Sequence, residues 1–219
     1  SRPGARRRLN KGLDFNKRKT GGGRRTRGET PSRQKLDDEE LKAHSQTTKG
    51  LGISVTAQPY APAIIKKLVG LGVSCIEHGS LMDEESAQLM AKHGVYCVTT
   101  FCSDNEADVP YAKQVAASRK MMLSSGIKLG FGSDIRGANP AESWRAYAAW
   151  LESGGDALQC LMAATSTNAA IVGRADLGSL TPGKTADIAA WPGDLLHNAQ
   201  ALKECAFVMK EGKLVFAGV

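Results

Sequence analysis

From Asp37 onward, apolar and polar residues are grouped in blocks: a stretch with helical spacing ends in glycine, and a short β-rich run follows. The joints are Leu51-Gly52-Ile53, Leu71-Gly72-Val73, His93-Gly94-Val95 and Ser125-Gly126-Ile127. Glycine just past a helix end can take the left-handed conformation that caps the last turn, so four such joints predict alternating α and β. Strands are predicted over residues 53–57, 73–77, 95–100 and 127–132, mostly apolar without clean alternation, as parallel strands covered on both faces are. Asp37-Asp38-Glu39-Glu40 and Asp83-Glu84-Glu85 put carboxylates at helix N-termini, where unpaired N–H groups and the dipole favour them. Pro62, Pro110 and Pro140 suit first helical turns.

After Ala141 the pattern changes. Two helical stretches, 141–152 and 156–164, precede a turn at Leu180-Thr181-Pro182-Gly183-Lys184 and a strand over 186–191. Glu211-Gly212 then separates two hairpin strands, 206–210 and 213–217. Right-handed crossovers wind such a β/α series into a parallel sheet or part of a barrel, with a small β-rich terminus after it.

Composition places this pattern in an ordinary globular chain: 219 residues, 42% hydrophobic and 23% charged. No window approaches the ~18 consecutive apolar residues of a membrane span, and the first thirty residues are too basic for a secretory signal. A cytoplasmic setting is expected, with no membrane partner. Cys75, Cys97, Cys102, Cys160 and Cys205 contain no Cys-x-x-Cys pair and are read as buried thiols.

The net charge of +7 is uneven. Residues 1–35 carry thirteen Lys or Arg against Asp14 and Glu29, a local +11, which leaves −4 for the remainder. This arm is expected to be a solvated, partly disordered lead-in with a candidate strand near 12–17. Clustered cations can neutralise phosphates. With Phe15 as its one aromatic, the arm offers no base-stacking platform, so nucleic acid is not the expected partner.

In β/α architectures chemistry collects at the carboxyl ends of the strands. Those ends carry Gln58 and Tyr60, then Glu77-His78-Gly79, then Thr99 and Thr100, then Ser133-Asp134. A histidine and an aspartate there are materials for a metal site. Taken singly, His78 reads equally as a packed residue and Asp134 as a helix cap.

Their combination resembles a known family. Cys75-Ile76-Glu77-His78-Gly79-Ser80, then Gly130-Phe131-Gly132-Ser133-Asp134, then Ala164-Thr165-Ser166-Thr167-Asn168-Ala169-Ala170, and finally residues 177–187 stand in the order and spacing of the amidohydrolase superfamily. The similarity covers about residues 10–219 and is nearest to the imidazolonepropionase-like and Xaa-Pro dipeptidase-like hydrolases. It implies an α/β fold, a partial (β/α)8 barrel of about strands four to eight over 36–175, followed at 176–219 by C-terminal β elements of a small β-sandwich. It also implies hydrolysis of a carbon–nitrogen bond in an amide, cyclic amide or peptide-like substrate, using one or two divalent ions of the zinc type.

By this resemblance His78 matches the sixth-strand metal histidine. Asp134 matches the eighth-strand aspartate that binds metal and takes the proton of the attacking water. Lys17 matches the fourth-strand lysine that becomes carboxylated and bridges two metals. Gln58 stands where the family has a fifth-strand histidine, and its amide oxygen suits hard cations better than zinc. Tyr60 matches a tyrosine that often follows. The His-x-His of a first strand does not occur among His44, His78, His93 and His197. A whole barrel takes ~250 residues.

The expectation is therefore the second half of an enzyme, whose other half comes from a preceding segment or another subunit, with a small-molecule or dipeptide-like substrate. Two readings stand beside it: a metal-free, non-catalytic remnant, and a nucleic-acid binder acting through the basic arm.

Overall fold

A computed structural model of the chain describes residues 15–24, 26–101, 111–134 and 140–218. The expectations for Pro110, Cys102 and residues 1–14 lie outside these. The chain is α/β, and a five-stranded sheet runs in the order β1 (Phe15–Arg18), β2 (Ser54–Ala57), β3 (Cys75–Glu77), β4 (Tyr96–Thr100), β5 (Leu129–Gly132). The pairings β1–β2, β2–β3 and β3–β4 are parallel. Among the described residues no helix is long and apolar enough to cross a membrane.

Contacts divide the chain into two compact units. The first holds the described residues of Ser1–Thr99, Asn105–Leu129 and Ile171–Gly173; the second holds those of Thr100–Asp104, Gly130–Ala170 and Arg174–Val219.

In the first unit, helices α1 (Asp38–Gly50), α2 (Pro62–Gly70), α3 (Glu84–His93) and α4 (Ala112–Ser124) alternate with the strands. Asp37 caps α1 in a reciprocal box with Glu40, Pro62 opens α2, and the Asp83 carboxylate accepts from the Ser86 N–H at 2.8 Å to open α3. All four joint glycines have positive φ, from 65° to 79°. The strands begin one or two residues later than the pattern predicts. The cause is local: the N–H groups of Ile53, Val73 and Val95 reach back to the carbonyls of Thr48, Leu68 and Met90, closing the helix end instead of starting a ladder.

One face of this sheet is sealed. Val55, Ala57, Ile76 and Cys97 pack with Ile64, Ile65, Leu68, Met90 and Met122 in a single buried cluster. The opposite face is mixed in character. Lys17, Thr56, Cys75 and Tyr96 align across β1–β4, with Gln58, Glu77 and Val98 beyond them, and of these only Thr56 and Cys75 are buried.

Within the basic lead-in, β1 overlaps the candidate strand near 12–17, and described residues after it are held by backbone bonds. Beyond β1, the Gly22 N–H donates to Arg33 O, the Lys35 N–H to Thr20 O, and the Gly21 N–H to Gln58 O. The Glu29 carboxylate neutralises the loop from inside, accepting from the Gly23 N–H at 2.6 Å and pairing with Lys19 and Lys35.

The second unit contains a 3-10 turn (Pro140–Ser143), α5 (Trp144–Glu152), α6 (Ala157–Met162), a π turn (Ala163–Thr167) and all but the last residue of α7 (Asn168–Ile171). An antiparallel sheet follows: β6 (Ile188–Ala190), β7 (Phe207–Lys210) and β8 (Lys213–Ala217). The helical run expected to end at 164 therefore continues to Ile171. Of the described thiols Cys75, Cys97 and Cys160 are buried, whereas Cys205 is only half-buried, because it lies at the margin of this thin sheet.

Candidate functional site

The loops that leave β1, β2 and β3 are tied to one another by backbone bonds. Gly21 N–H donates to Gln58 O at 3.1 Å, Gly79 N–H to Pro59 O at 3.3 Å, and Leu81 N–H to Tyr60 O at 3.3 Å. This lacing needs close approach. A Cβ on Gly21 would lie 3.2 Å from Pro59 Cα.

His78 follows β3 directly, is 5% exposed and holds a φ of 65°. A residue other than glycine adopts that conformation at a cost, so its surroundings must fix it. They do: the His78 N–H donates to Val98 O at 3.0 Å, and the ring stacks on Tyr60 with centroids 5.0 Å apart and planes 12° from parallel. Tyr60 is itself 4% exposed, and its hydroxyl lies 3.5 Å from Gln58 Nε2. The Arg24 guanidinium lies 5.8 Å from the Tyr60 ring centroid. Sequence reasoning gave Arg24 no role, since an arginine in a basic run carries no positional signal.

Lys17 and Glu77 meet on the open face, Nζ to Oε2 at 3.8 Å. The sequence places Glu77 at a strand end and holds no sign of its pairing with Lys17. The β1–β2–β3 register supplies the missing information, since it sets Lys17, Thr56 and Cys75 in one row with Glu77 two residues further on the same face. Cys75, below Glu77, is driven far above the ordinary thiol range by burial and then by the Glu77 charge.

Asp134 belongs to the second unit, where it is exposed and has a φ of 49°. Asparagine and aspartate tolerate that region better than other non-glycine residues.

A catalytic zinc takes three protein donors. The strand ends of the first unit carry one imidazole (His78, stacked on Tyr60), one carboxylate (Glu77, paired with the Lys17 amine) and the Gln58 amide, 3.5 Å from the Tyr60 hydroxyl. Among the described residues no group of three or more His, Cys, Asp or Glu side chains comes together in a metal-holding arrangement. His78 has the right donor and burial, but the Lys17 amine is engaged with the Glu77 carboxylate, Nζ to Oε2 at 3.8 Å. The donor set present does not fit a complete metal centre.

Comparison with known proteins gives the chain its context. The model of the amidohydrolase family matches residues 1–215. Ochratoxinase of Aspergillus niger is 28% identical over 214 residues, covering 88% of this chain and 44% of the relative. Among solved structures, an amidohydrolase superposes with a TM-score of 0.90 at 28% identity, over 100% of this chain and 58% of its own. A Xaa-Pro dipeptidase with bound methionine superposes with a TM-score of 0.89 at 25% identity, over 99% of this chain and 58% of its own. The chain thus spans about half the length of the proteins it matches.

Proposed function

The chain belongs to the amidohydrolase family, and from that premise we propose that it is the strand-four-to-eight portion of a metal-dependent hydrolase that cleaves a carbon–nitrogen bond. The observation that carries the proposal is His78, buried, stacked on Tyr60 and held in a strained conformation at the carboxyl end of β3. Strain of that kind at a strand end supports a functional role for the side chain. The ochratoxinase and Xaa-Pro dipeptidase matches support a small-molecule or dipeptide-like substrate for this chain.

The roles divide as follows. His78 supplies the imidazole donor, while Tyr60 fixes its ring plane. Asp134 takes a proton from the attacking water and returns it to the departing nitrogen, so water and amide become acid and amine. Lys17 becomes a donor only after leaving Glu77, when its neutral amine adds carbon dioxide and releases a proton to form a carbamate. The remaining donors, a His-x-His pair above all, come from a preceding segment or a partner subunit, and the divalent ion is of the zinc type.

The test joins the chain to such a segment and assays N-acyl amino acids and dipeptides. Turnover that falls about 100-fold or more in Asp134→Asn is expected, the size of a general-base effect. Undiminished turnover in that variant contradicts the assignment.

A second reading, a metal-free remnant, is favoured by the Lys17–Glu77 pair and by Gln58, which carries an amide where the resemblance implies a histidine. If it is correct, the joined protein binds no divalent ion. No observation favours the nucleic-acid reading, and Lys19 and Lys35 of the basic arm are engaged by Glu29.

A further inference from the structure

The motif from Ala164 to Ala170 has no part in the chemistry above, yet Asn168 makes an unusual pair of bonds. Its side-chain Oδ1 accepts from the Phe131 N–H at 3.2 Å, and its Nδ2 donates to the Phe131 carbonyl at 2.8 Å. In a parallel strand the N–H and C=O of one residue point to the same side, and successive residues alternate. The Lys128 carbonyl accepts from the Cys97 N–H of β4. Phe131, three residues on, is therefore directed to the other edge of β5, where the sheet order ends among the described residues. The Asn168 amide presents one donor and one acceptor there, as a peptide group of a further strand does.

We propose that Asn168 is a positioning residue for Asp134, standing in for a strand at the edge of β5 so that the turn Gly132-Ser133-Asp134 leaves it in one conformation. The functional consequence rests on the reading of Asp134 as the proton-handling residue.

Three features give the clamp its rigidity. Asn168 follows directly on the π turn Ala163–Thr167, a widening of the helix that is rare and often tied to function. That turn is covered by Gly178, with a φ of 84°, where a Cβ would lie 2.8 Å from Ser166 Cα, Thr165 O and Ala169 Cβ. Phe131 is held by its ring as well, 6.4 Å from that of Trp150, which is 1% exposed and donates from Nε1 to Asp156 O at 3.0 Å. Three residues beyond this double anchor, Asp134 has its left-handed φ of 49°. Aspartate at 168 keeps the acceptor but sets an oxygen against the Phe131 carbonyl, and alanine removes both bonds.

The experiment reads Phe131 amide exchange and the Asp134 Cα and Cβ chemical shifts in the full chain. In Asn168→Ala, Phe131 exchange accelerates about fivefold or more, the size of one lost hydrogen bond, and the Asp134 shifts leave left-handed values. In Asn168→Asp, which keeps the shape, the Phe131 N–H stays protected while the Asp134 shifts move the same way; this variant decides the matter if alanine prevents folding. Asp134 shifts unchanged in the aspartate variant overturn the proposal. In the joined protein, Asn168→Asp lowers kcat with little change in KM and adds no loss on top of Asp134→Asn; additive losses overturn it. If the hydrolase reading itself fails, the unsubstituted protein shows no turnover, and the chemical shifts still decide the role of Asn168.

Discussion

Glu29 shows how one residue can reverse the character of a segment. In sequence it is a single carboxylate among many cations; in the structure it is the centre of the loop that follows β1. Bonds from Lys35, the Gly23 N–H and Lys19 bring its pKa down to about 2. A depressed carboxylate stabilises the fold above its unfolded pKa, and that contribution is lost as pH falls toward the folded value. The loop over 19–35 is therefore expected to keep its amide protection at neutral pH and to lose it between about pH 4.5 and 2; Glu29→Gln should lose it already at neutral pH, as amide exchange will read. Gly22→Ala forces a methyl group against the Thr30 carbonyl and should cost about 1–3 kcal/mol in urea unfolding. Composition concealed these roles, because net charge along the text gives no hint of which charges fold onto one carboxylate. The same blindness hid the Lys17–Glu77 pair, which depends on register across strands 60 residues apart in sequence.

At the scale of elements the sequence was far more legible, for a physical reason. Helix ends are decided by residues next to them, so Asp37 with Glu40, Pro62, Asp83 and the joint glycines could be read where they stand. Asp37→Ala should destabilise the chain by about 1 kcal/mol, and Gly94→Ala, which puts a Cβ into a left-handed cap, by about 1–2 kcal/mol, both measured as shifts in denaturant midpoint. The π turn before Asn168 was not legible, since nothing in Ala163-Ala164-Thr165-Ser166-Thr167 distinguishes a widened turn from an α-helical one. Thiol chemistry follows from the elements too. Burial raises Cys160 to about 12 and Cys97 far above its ordinary value. Of the four described cysteines, native alkylation near pH 8 is expected at Cys205 and not at Cys75, Cys97 or Cys160, as peptide mapping will check.

For the molecule as a whole, what stays uncovered is as informative as what is packed. In the first unit the face bearing Lys17, Gln58, Glu77 and Tyr96 is open, and in the second the strand β8 exposes Leu214 at 61%, Val215 at 64% and Phe216 at 47%. Apolar surface of that kind marks association sites in soluble chains. The chain spans about half the length of these relatives, and among the described residues no group of three or more His, Cys, Asp or Glu side chains gathers at one point, so the proposed function draws its remaining donors from elsewhere. The most direct test is the zinc content of the purified chain, measured by mass spectrometry alone and after joining to a segment that carries His-x-His. The expected result is well under one equivalent for the chain alone and about one or more when joined, with a marked fall in His78→Ala. Zinc retained in full by the joined His78→Ala protein, or absent from the joined protein altogether, would contradict it.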